Sequence, residues 1–347
     1  MFDYEKMRDF CKPYVIAEIG SNHNGNMDLA KKMIDKAKEC GADCVKFQSW
    51  SKDTIFSRKV YEDNYFLTDD YRHRTDYTLE EIVDEYHIGA KEHRLLKEYC
   101  DTVGIDFNST PFSKREADLL VDELDVPFIK VASMDLNNIP FLKYLAGKKK
   151  PMVISTGLCD LADVSDAVKC VKENGCQDII LLHCVSIYPP KDEETNLNHI
   201  DMLRNNFNCP VGYSDHTLGT IAPIMSMAKG VCIIEKHFTL DKNMVGWDHK
   251  ISANPEELRV ICQAAECGYK MLGSYSKVVS ESQERREAFQ RSIVAAKPIS
   301  KGQIIQEEDL DYKRPGTGIP PKYYSFLIGK EAKRDICYDE LIRYEDF

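Results

Sequence analysis

The stretch Val231-Cys232-Ile233-Ile234-Glu235-Lys236-His237 is a short apolar run that ends in three ionisable side chains. Seven similar runs precede it in the chain, namely Val15–Glu18, Cys44–Lys46, Ile105–Thr110, Phe128–Lys130, Met152–Ser155, Ile179–His183 and Val211–His216. Helical patterns separate most of these runs. Parallel strands that alternate with helices close into an eight-stranded barrel, whose active site lies at the carboxyl ends of the strands. The sequence therefore predicts an α/β fold of the TIM (β/α)8 barrel class, with the polar strand ends gathered at one mouth.

The segments between these runs carry apolar residues at helical spacing. The clearest pattern runs from Met27 to Cys40 and is followed by Gly41, which is typical of a helix end. Similar patterns predict helices over 80–99, 114–124, 141–146, 163–174, 198–206, 220–228 and 255–272. The polar and aromatic segment 51–78 is interpreted as a long loop over the barrel mouth, where loops often carry specificity.

The chain has 347 residues, which exceeds the ~250 of one barrel by roughly a hundred. After Arg291 the pattern changes to short strand-and-turn units, such as Leu310–Gly316. We predict a barrel domain over 1–275, a linker over 276–290 and a small, mostly β domain over 291–347. A domain this small would gain stability by docking onto another subunit.

The formal net charge of −11 argues against nucleic acid and anionic membranes as partners, because these select basic surfaces. Thirteen cysteines without paired Cys-x-x-Cys spacing indicate reduced thiols. There is no pattern of a targeting peptide and no apolar run approaching ~20 residues. These features together predict a cytoplasmic protein.

His216 and His237 end the seventh and eighth predicted strands, which are neighbours in a barrel. Their imidazoles could share one divalent metal ion and leave positions open for water and substrate. The alternative is that each histidine makes an ordinary hydrogen bond at its strand end. Asp215, Glu235 and Asp248 nearby in sequence make the two interpretations about equally strong.

Lys46, Lys130 and Lys236 each follow or interrupt an apolar strand, where a lysine is costly to bury without an anionic partner. The three lysines could form a phosphate pocket together with the hydroxyls of Thr110, Ser133, Ser155 and Ser214. The alternative is a salt bridge to Glu18 or Glu235, and Lys236 is the strongest candidate for it. Glu18 is then either a structural partner or an acid/base near the metal.

Several motifs resemble those of the sialic acid synthase (N-acetylneuraminate synthase) family. They are Ala17–His23, Lys46-Phe47-Gln48, Ser109–Ser113, Ser155-Thr156-Gly157, Gly212–Thr217 and Glu235–Phe238. Lys313–Gly318 looks like the signature of that family's C-terminal antifreeze-like (SAF) domain. The resemblance thus covers almost the whole chain and keeps the family order.

The resemblance implies condensation of phosphoenolpyruvate with the open-chain aldehyde of an N-acylated hexosamine-type sugar, giving a nine-carbon 2-keto acid and phosphate. It places a divalent ion, Mn²⁺ with Mg²⁺ or Co²⁺ as alternatives, on His216 and His237, and gives Glu18 the role of orienting or deprotonating water. The phosphoenolpyruvate ligands would be Lys46, Thr110, Lys130, Ser133, Ser155, Ser186 and Ser214.

The resemblance also assigns the sugar contacts to Gln48, Tyr188, Asp248 and Arg314. In the family the arginine reaches the active site of the partner subunit, so a domain-swapped homodimer is implied. The stretch Asp248-His249-Lys250 is closer to the sialic and legionaminic acid branches than to the pseudaminic one. The expected sugar is therefore N-acetylmannosamine or a 2,4-diacetamido-trideoxy sugar.

Other interpretations remain open at this point. A metal-dependent hydrolase on the same barrel could use His183, His216, His237 and Asp248 as ligands, but it would have no use for three lysines at the mouth. A pseudaminic acid synthase is the alternative within the family. A barrel synthase making a shorter keto-sugar phosphate would need a second phosphate site, and a non-enzymatic role would leave the polar strand ends unexplained.

Overall fold

The computed structural model describes residues 1–9, 11–64, 77–274 and 276–347. Its contacts divide the chain into two compact units, Met1–Gly273 and Ser274–Phe347. The first unit contains eight parallel strands: β1 Tyr14–Gly20, β2 Cys44–Ser49, β3 Asp106–Pro111, β4 Ile129–Val131, β5 Met152–Ser155, β6 Ile179–Cys184, β7 Val211–Asp215 and β8 Ile233–His237.

The strands follow the order β3-β2-β1-β8-β7-β6-β5-β4, in which neighbours in sequence are neighbours in space and β8 returns to β1. At the remaining junction the Asn108 side chain on β3 donates a hydrogen bond to the Phe128 carbonyl just before β4, at 2.8 Å. The predicted TIM barrel is confirmed.

The helices of the first unit are α1 Tyr4–Met7, α2 Met27–Cys40, α3 Lys52–Ile55, α4 Arg58–Asp63, α5 Leu79–Tyr86, α6 Ala90–Val103, α7 Lys114–Asp118, α8 Ile139–Ala146, α9 Leu161–Glu173, α10 His199–Phe207, α11 Ile221–Ala228 and α12 Pro255–Leu272. Helix α2 shows why the sequence pattern succeeds. The Asn26 side chain accepts from the first free backbone N–H groups, and Gly41 ends the helix at φ 97°. Local capping therefore fixes both ends of this element.

Two helix predictions need correction. The pattern over 80–99 is not one helix but two, α5 and α6, because His87 turns to an extended conformation and donates from Nδ1 to the Trp50 carbonyl at 2.6 Å. The helix predicted over 114–124 begins as α7 and continues as a π-helical turn, Leu119–Glu123. Tertiary contacts override the periodicity in the first case.

The predicted loop over 51–78 is also wrong in part, since it contains α3 and α4, and α5 begins at Leu79. Residues 65–76 of that prediction lie outside the described residues. The Trp50 side chain packs in a small apolar cluster with α5, to which Leu79, Ile82, Val83 and Tyr86 also belong.

Alternate strand residues face two different cores. One core consists mainly of strand residues from around the barrel, such as Ile16, Val153 and Ile233, with Phe2 of the N-terminal segment packed against it. The other core mixes strand residues such as Ile234 with helix residues. Side chains alternate along a strand, so Glu235 and His237 follow Ile233 into the barrel, whereas Lys236 follows Ile234 toward the helices.

The second unit is built around the antiparallel pair β9 Ser292–Ala295 and β10 Leu310–Lys313. It also contains the helices α13 Gln283–Phe289, within the stretch predicted as a linker, and α14 Tyr324–Leu327. Its own apolar core includes Ile293, Ile299, Ile305, Leu310, Ile336 and Ile342. Across the described residues of both units, no helix has the length and apolarity needed to cross a membrane.

Candidate active site

Four ionisable side chains form a layer inside the barrel, near the carboxyl ends of the strands. Glu18, Lys46, Lys130 and Glu235 are only 2%, 2%, 3% and 6% exposed. Lys46 pairs with Glu18, and its Nζ lies 3.7 Å from Glu235 Oε2. Lys130 Nζ lies 3.8 Å from Glu235 Oε1. We call these four residues the charged layer. Its two cations and two anions balance, which makes their burial tolerable.

Hydroxyl groups surround the charged layer. Lys46 donates to Thr110 Oγ1 at 2.9 Å, Lys130 donates to Ser155 Oγ at 2.7 Å, and Ser214 donates to Glu235 Oε1 at 2.9 Å. Lys130 also donates to the Val131 carbonyl at 2.9 Å, which leaves part of its three-donor capacity for another acceptor. The arrangement can therefore receive an anionic ligand without first breaking every existing bond.

Ser133 and Ser186 converge on the backbone of Gly157. The Gly157 N–H donates to Ser133 Oγ at 3.1 Å. A Cβ atom at position 157 would lie 2.8 Å from Ser133 Oγ and closer still to Ser186 Oγ. Two hydroxyls can approach this backbone only because residue 157 is glycine.

His216 and His237 lie side by side, with ring centroids 5.4 Å apart. His216 Nδ1 donates to the Val185 carbonyl at 2.7 Å, so in the neutral imidazole Nε2 carries the lone pair. His237 Nδ1 is buried, has no hydrogen-bond partner in the described part of the chain, and lies 3.8 Å from Asp248 Oδ2. Among the described residues no group of three or more His, Cys, Asp or Glu forms a metal cluster. The two imidazoles fit a metal ion that has two protein ligands and open positions.

The electrostatics separate the two carboxyl groups of the charged layer. Burial raises the pKa of Glu18 to about 7, against the attraction of Lys46. Burial also acts on Glu235, but Lys130 and Lys46 together hold the pKa of Glu235 below its ordinary value. Burial lowers the pKa of Lys130, with Glu235 opposing this effect. Glu18 is thus the carboxyl group suited to accept or release a proton near neutral pH.

Three of the predicted sugar contacts surround this centre. Gln48 donates from Nε2 to Glu18 Oε1 at 3.4 Å. The Tyr188 ring stacks on His216 with centroids 4.1 Å apart. Burial raises the pKa of Asp248, the neighbour of His237, to about 6. The fourth predicted contact, Arg314, lies in the second unit, where its guanidinium sits 5.2 Å from the centroid of the Phe289 ring.

Lys236 is separate from the charged layer. It pairs with Asp215 at 2.6 Å and donates to the Thr217 carbonyl. The salt-bridge interpretation therefore applies to Lys236, as expected, but its partner is Asp215 and not Glu18 or Glu235. Tyr213 and the Thr217 N–H complete the hydrogen bonds of Asp215, each at 2.9 Å.

His183 also faces the helices. Its Nε2 donates to the Thr195 carbonyl at 2.7 Å, and its ring stacks on Tyr213 with centroids 5.6 Å apart. The four-ligand set considered for a hydrolase is therefore not brought together. From the sequence alone, Glu235 is interpreted as a salt-bridge partner and as a neighbour of the two histidines, and Gly157 has no assigned role. Side chains alternate along β8, so Glu235 lies on the same face as His237, and this alternation could have indicated a place for Glu235 in the site.

The chain matches two protein-family models, the NeuB family over residues 33–277 and the SAF domain over residues 290–347. It is 38% identical to an N,N'-diacetyllegionaminic acid synthase of Legionella pneumophila, over 96% of this chain and 94% of that protein. A pseudaminic acid synthase of Campylobacter jejuni is 34% identical, over 97% of each chain. The crystal structure of a sialic acid synthetase from Leptospira borgpetersenii superposes with a TM-score of 0.68 at 33% identity, covering 80% of this chain and 90% of that one.

Proposed function

The chain belongs to the NeuB family and carries a SAF domain, and we propose on this basis that it is a phosphoenolpyruvate-dependent nonulosonic acid synthase. It would join phosphoenolpyruvate to the open-chain aldehyde of an N-acylated amino sugar and release inorganic phosphate. The observation that carries the proposal is the charged layer, because two buried lysines with nearby hydroxyls suit a small, highly anionic substrate.

The charged layer and its hydroxyls bind the carboxylate and phosphate of phosphoenolpyruvate. Lys46 and Lys130 supply the positive charge, and the hydroxyl and N–H donors come from Thr110, Ser133, Ser155, Gly157, Ser186 and Ser214. These groups are buried or half-buried. Thr110, Ser155 and Ser214 are hydrogen-bonded to the charged layer, and the Gly157 N–H is bonded to Ser133, so much of the site is preorganised for the anion.

The reaction then balances as follows. The methylene carbon of phosphoenolpyruvate forms a bond to the aldehyde carbon of the sugar, and the aldehyde oxygen takes up a proton. Water adds to the former enol carbon and gives up its proton to Glu18, whose pKa of about 7 suits this transfer. The bond from that carbon to the phosphate oxygen breaks, the remaining hydroxyl proton passes to the departing phosphate, and a ketone and inorganic phosphate result. The proton gained by Glu18 offsets the one taken up by the aldehyde oxygen, so the overall reaction neither consumes nor releases a proton.

His216 and His237 would hold a divalent ion, proposed to be Mn²⁺, with Mg²⁺ or Co²⁺ as alternatives. When bound, the ion supplies Lewis-acid polarisation of the sugar aldehyde. The Val185 carbonyl fixes the tautomer of His216, and Asp248 lies beside His237. These contacts orient the two imidazoles.

The proposed sugar is a 2,4-diacetamido-trideoxy sugar, giving a legionaminic acid, with N-acetylmannosamine as the second candidate. The identity of 38% to a legionaminic acid synthase, against 34% to a pseudaminic one, supports the legionaminic precursor over the pseudaminic one. Gln48, Tyr188 and Asp248 contact the sugar near the histidines. Arg314 would come from the second unit of a partner subunit, in a domain-swapped homodimer, and read the N-acyl group.

The test is phosphate release from phosphoenolpyruvate with Mn²⁺, with the 2-keto acid followed by mass. The sugars compared are N-acetylmannosamine and the 2,4-diacetamido-trideoxy precursors of legionaminic acid and of pseudaminic acid. We expect release with the legionaminic precursor, loss on chelation and recovery with metal. Activity on the pseudaminic precursor alone would overturn the order of sugars, and no release with any amino sugar would overturn the synthase itself.

A variant links the activity to the charged layer. Lys130→Ala should abolish binding of phosphoenolpyruvate and retain metal binding, because Lys130 lies among the anion donors and not beside the histidines. A Lys130→Ala protein that still binds phosphoenolpyruvate would contradict the assignment of this layer.

A further inference from the structure

The chain has two tryptophans, and they lie next to each other, with ring centroids 6.4 Å apart. Their indole N–H groups differ. Trp50 Nε1 donates to Gln48 Oε1 at 3.2 Å. Trp247 Nε1 is buried and has no hydrogen-bond partner in the described part of the chain. Only one of the two indoles is therefore hydrogen-bonded to a residue of the site.

The bond from Trp50 fixes which way the Gln48 amide faces. Since Oε1 accepts from the indole, Nε2 is turned toward Glu18 Oε1, to which it donates at 3.4 Å. A flipped amide would set its N–H₂ against the indole N–H and its oxygen against a carboxylate. The flipped state loses both bonds and places like charges together, so Trp50 selects the observed one.

Trp50 is itself held firmly. Its side chain is 5% exposed and packs with Leu79, Val83 and Tyr86. Its backbone carbonyl accepts from His87 Nδ1 at 2.6 Å, at the break between α5 and α6. The indole N–H that orients Gln48 is thus held in place by the packing of Trp50 against α5.

We propose that Trp50 is a positioning residue that acts through Gln48 on Glu18. Gln48 donates to Oε1 of Glu18 while Lys46 forms an ion pair at Oε2, so each carboxylate oxygen has one neighbour on its side. Gln48 Oε1 faces the indole, and Nε2 keeps a second N–H that can donate to a substrate. The inference rests on the proposed function, in which Glu18 takes the proton of the attacking water.

The kinetic test compares Trp50→Phe with Trp247→Phe. Both variants keep an aromatic ring and remove an indole N–H, but only the first removes a hydrogen bond. We expect Trp50→Phe to lower kcat about fivefold, in line with the loss of one hydrogen bond, and to leave KM for phosphoenolpyruvate unchanged. Trp247→Phe should stay within about twofold of the wild type.

A double variant separates positioning from packing. If Trp50 acts through Gln48, Trp50→Phe has no further effect on kcat in a Gln48→Ala background. Additive losses, equal losses in the two phenylalanine variants, or a loss that parallels a fall in Tm would each overturn the proposal.

An NMR measurement needs no activity, and so keeps failure of this inference apart from failure of the proposed function. The two ¹⁵N-indole signals are assigned by their disappearance in the two phenylalanine variants. Gln48→Ala should move the Trp50 signal and leave the Trp247 signal in place. An unmoved Trp50 signal would overturn the inference even in an active synthase, and a moved one would support the contact even if no sugar were turned over.

Discussion

The inward and outward faces of β8 hold two kinds of buried ion pair, one residue apart. Facing outward, Lys236 and Asp215 have side chains that are 0% exposed, and the hydrogen bonds of Tyr213 and Thr217 complete the pair. Facing inward, Glu235 is shared between Lys46 and Lys130 at 3.7 and 3.8 Å. Burial of a lysine therefore does not by itself indicate a binding role. A binding role is indicated when a lysine inside the barrel still has N–H groups available to donate to a ligand.

The two faces should respond differently to the loss of a lysine. Removing Lys236 would leave the Asp215 carboxyl buried without its cation, with the Tyr213 hydroxyl and the Thr217 N–H as its remaining partners. Removing Lys130 would leave Glu235 with Lys46 and Ser214, and Glu18, with a pKa of about 7, could take up a proton to restore the balance. The outward pair should thus govern stability, and the charged layer should govern ligand binding.

The largest effect is expected for Lys130→Met. This variant removes a cation from the proposed anion site, where each charge-assisted hydrogen bond contributes roughly 1.5–3 kcal/mol. We expect kcat/KM for phosphoenolpyruvate to fall about 10³-fold, from the loss of about two such bonds. Steady-state kinetics and calorimetric titration with phosphoenolpyruvate check this. If Lys130→Met retained its affinity for phosphoenolpyruvate, the proposed difference between the two faces of β8 would be wrong.

Lys236→Met should act on stability instead. It leaves Asp215 as an unpaired buried charge, which costs about 3–5 kcal/mol in the free energy of unfolding. Urea unfolding followed by circular dichroism measures the change. The double variant Lys236→Met/Asp215→Leu is the matched control and should recover much of the loss. If Lys236→Met weakened phosphoenolpyruvate binding as strongly as Lys130→Met with unchanged stability, the distinction would be wrong.

The outward side of the barrel also contains a fully bonded histidine, His93 on α6, which makes stability depend on pH. His93 Nδ1 donates to the Gly89 carbonyl and Nε2 accepts from Ser49, and burial lowers the pKa of His93 to about 4. The folded-state pKa thus lies below the unfolded value of about 6.5. The unfolded chain binds the proton first, so stability is lost as the pH falls from about 6.5 to about 4.

The expected slope from His93 is about 1.4 kcal/mol per pH unit in that window. Urea unfolding at several pH values measures it. His93→Gln should have a shallower pH dependence than the wild type, at some cost in stability at neutral pH. An unchanged slope would show that His93 is not held neutral by its surroundings.

The smallest effect is expected at Gly157. Alanine there would press a methyl group against Ser133 and Ser186, so we expect KM for phosphoenolpyruvate to rise about tenfold, or about 1.4 kcal/mol. Gly268→Ala in α12 is the control, because its methyl group would meet only Met227 Sδ, at an ordinary 3.7 Å. Equal kinetics for the two variants would exclude Gly157 from the anion site.

The sequence predicted the barrel because each strand end is marked locally by an apolar run and a polar residue. Met152–Ser155 and Met27–Cys40 have the predicted limits. The break at His87 could not be predicted, since it depends on the carbonyl of Trp50, far away in the chain.

The candidate site could be predicted from the sequence to a similar extent as the fold. Residues at strand ends were assigned to the mouth, and strand alternation could have separated Lys236 from Glu235. The pairing of Lys236 with Asp215 and the contact of His216 with the Val185 carbonyl depend on the register between strands. The register between two strands cannot be read from the sequence of either strand alone.

The alternation on β8 also restricts how this protein can change over evolution or in the laboratory. A single residue inserted into or deleted from β8 would exchange its two faces, so that Lys236 entered the barrel while Glu235 and His237 left it. Substitutions on either face can be sampled one at a time, but the length of this strand cannot. A library that seeks a new sugar specificity should therefore keep residues 231–237 in phase and diversify the connection that follows, around Asp248.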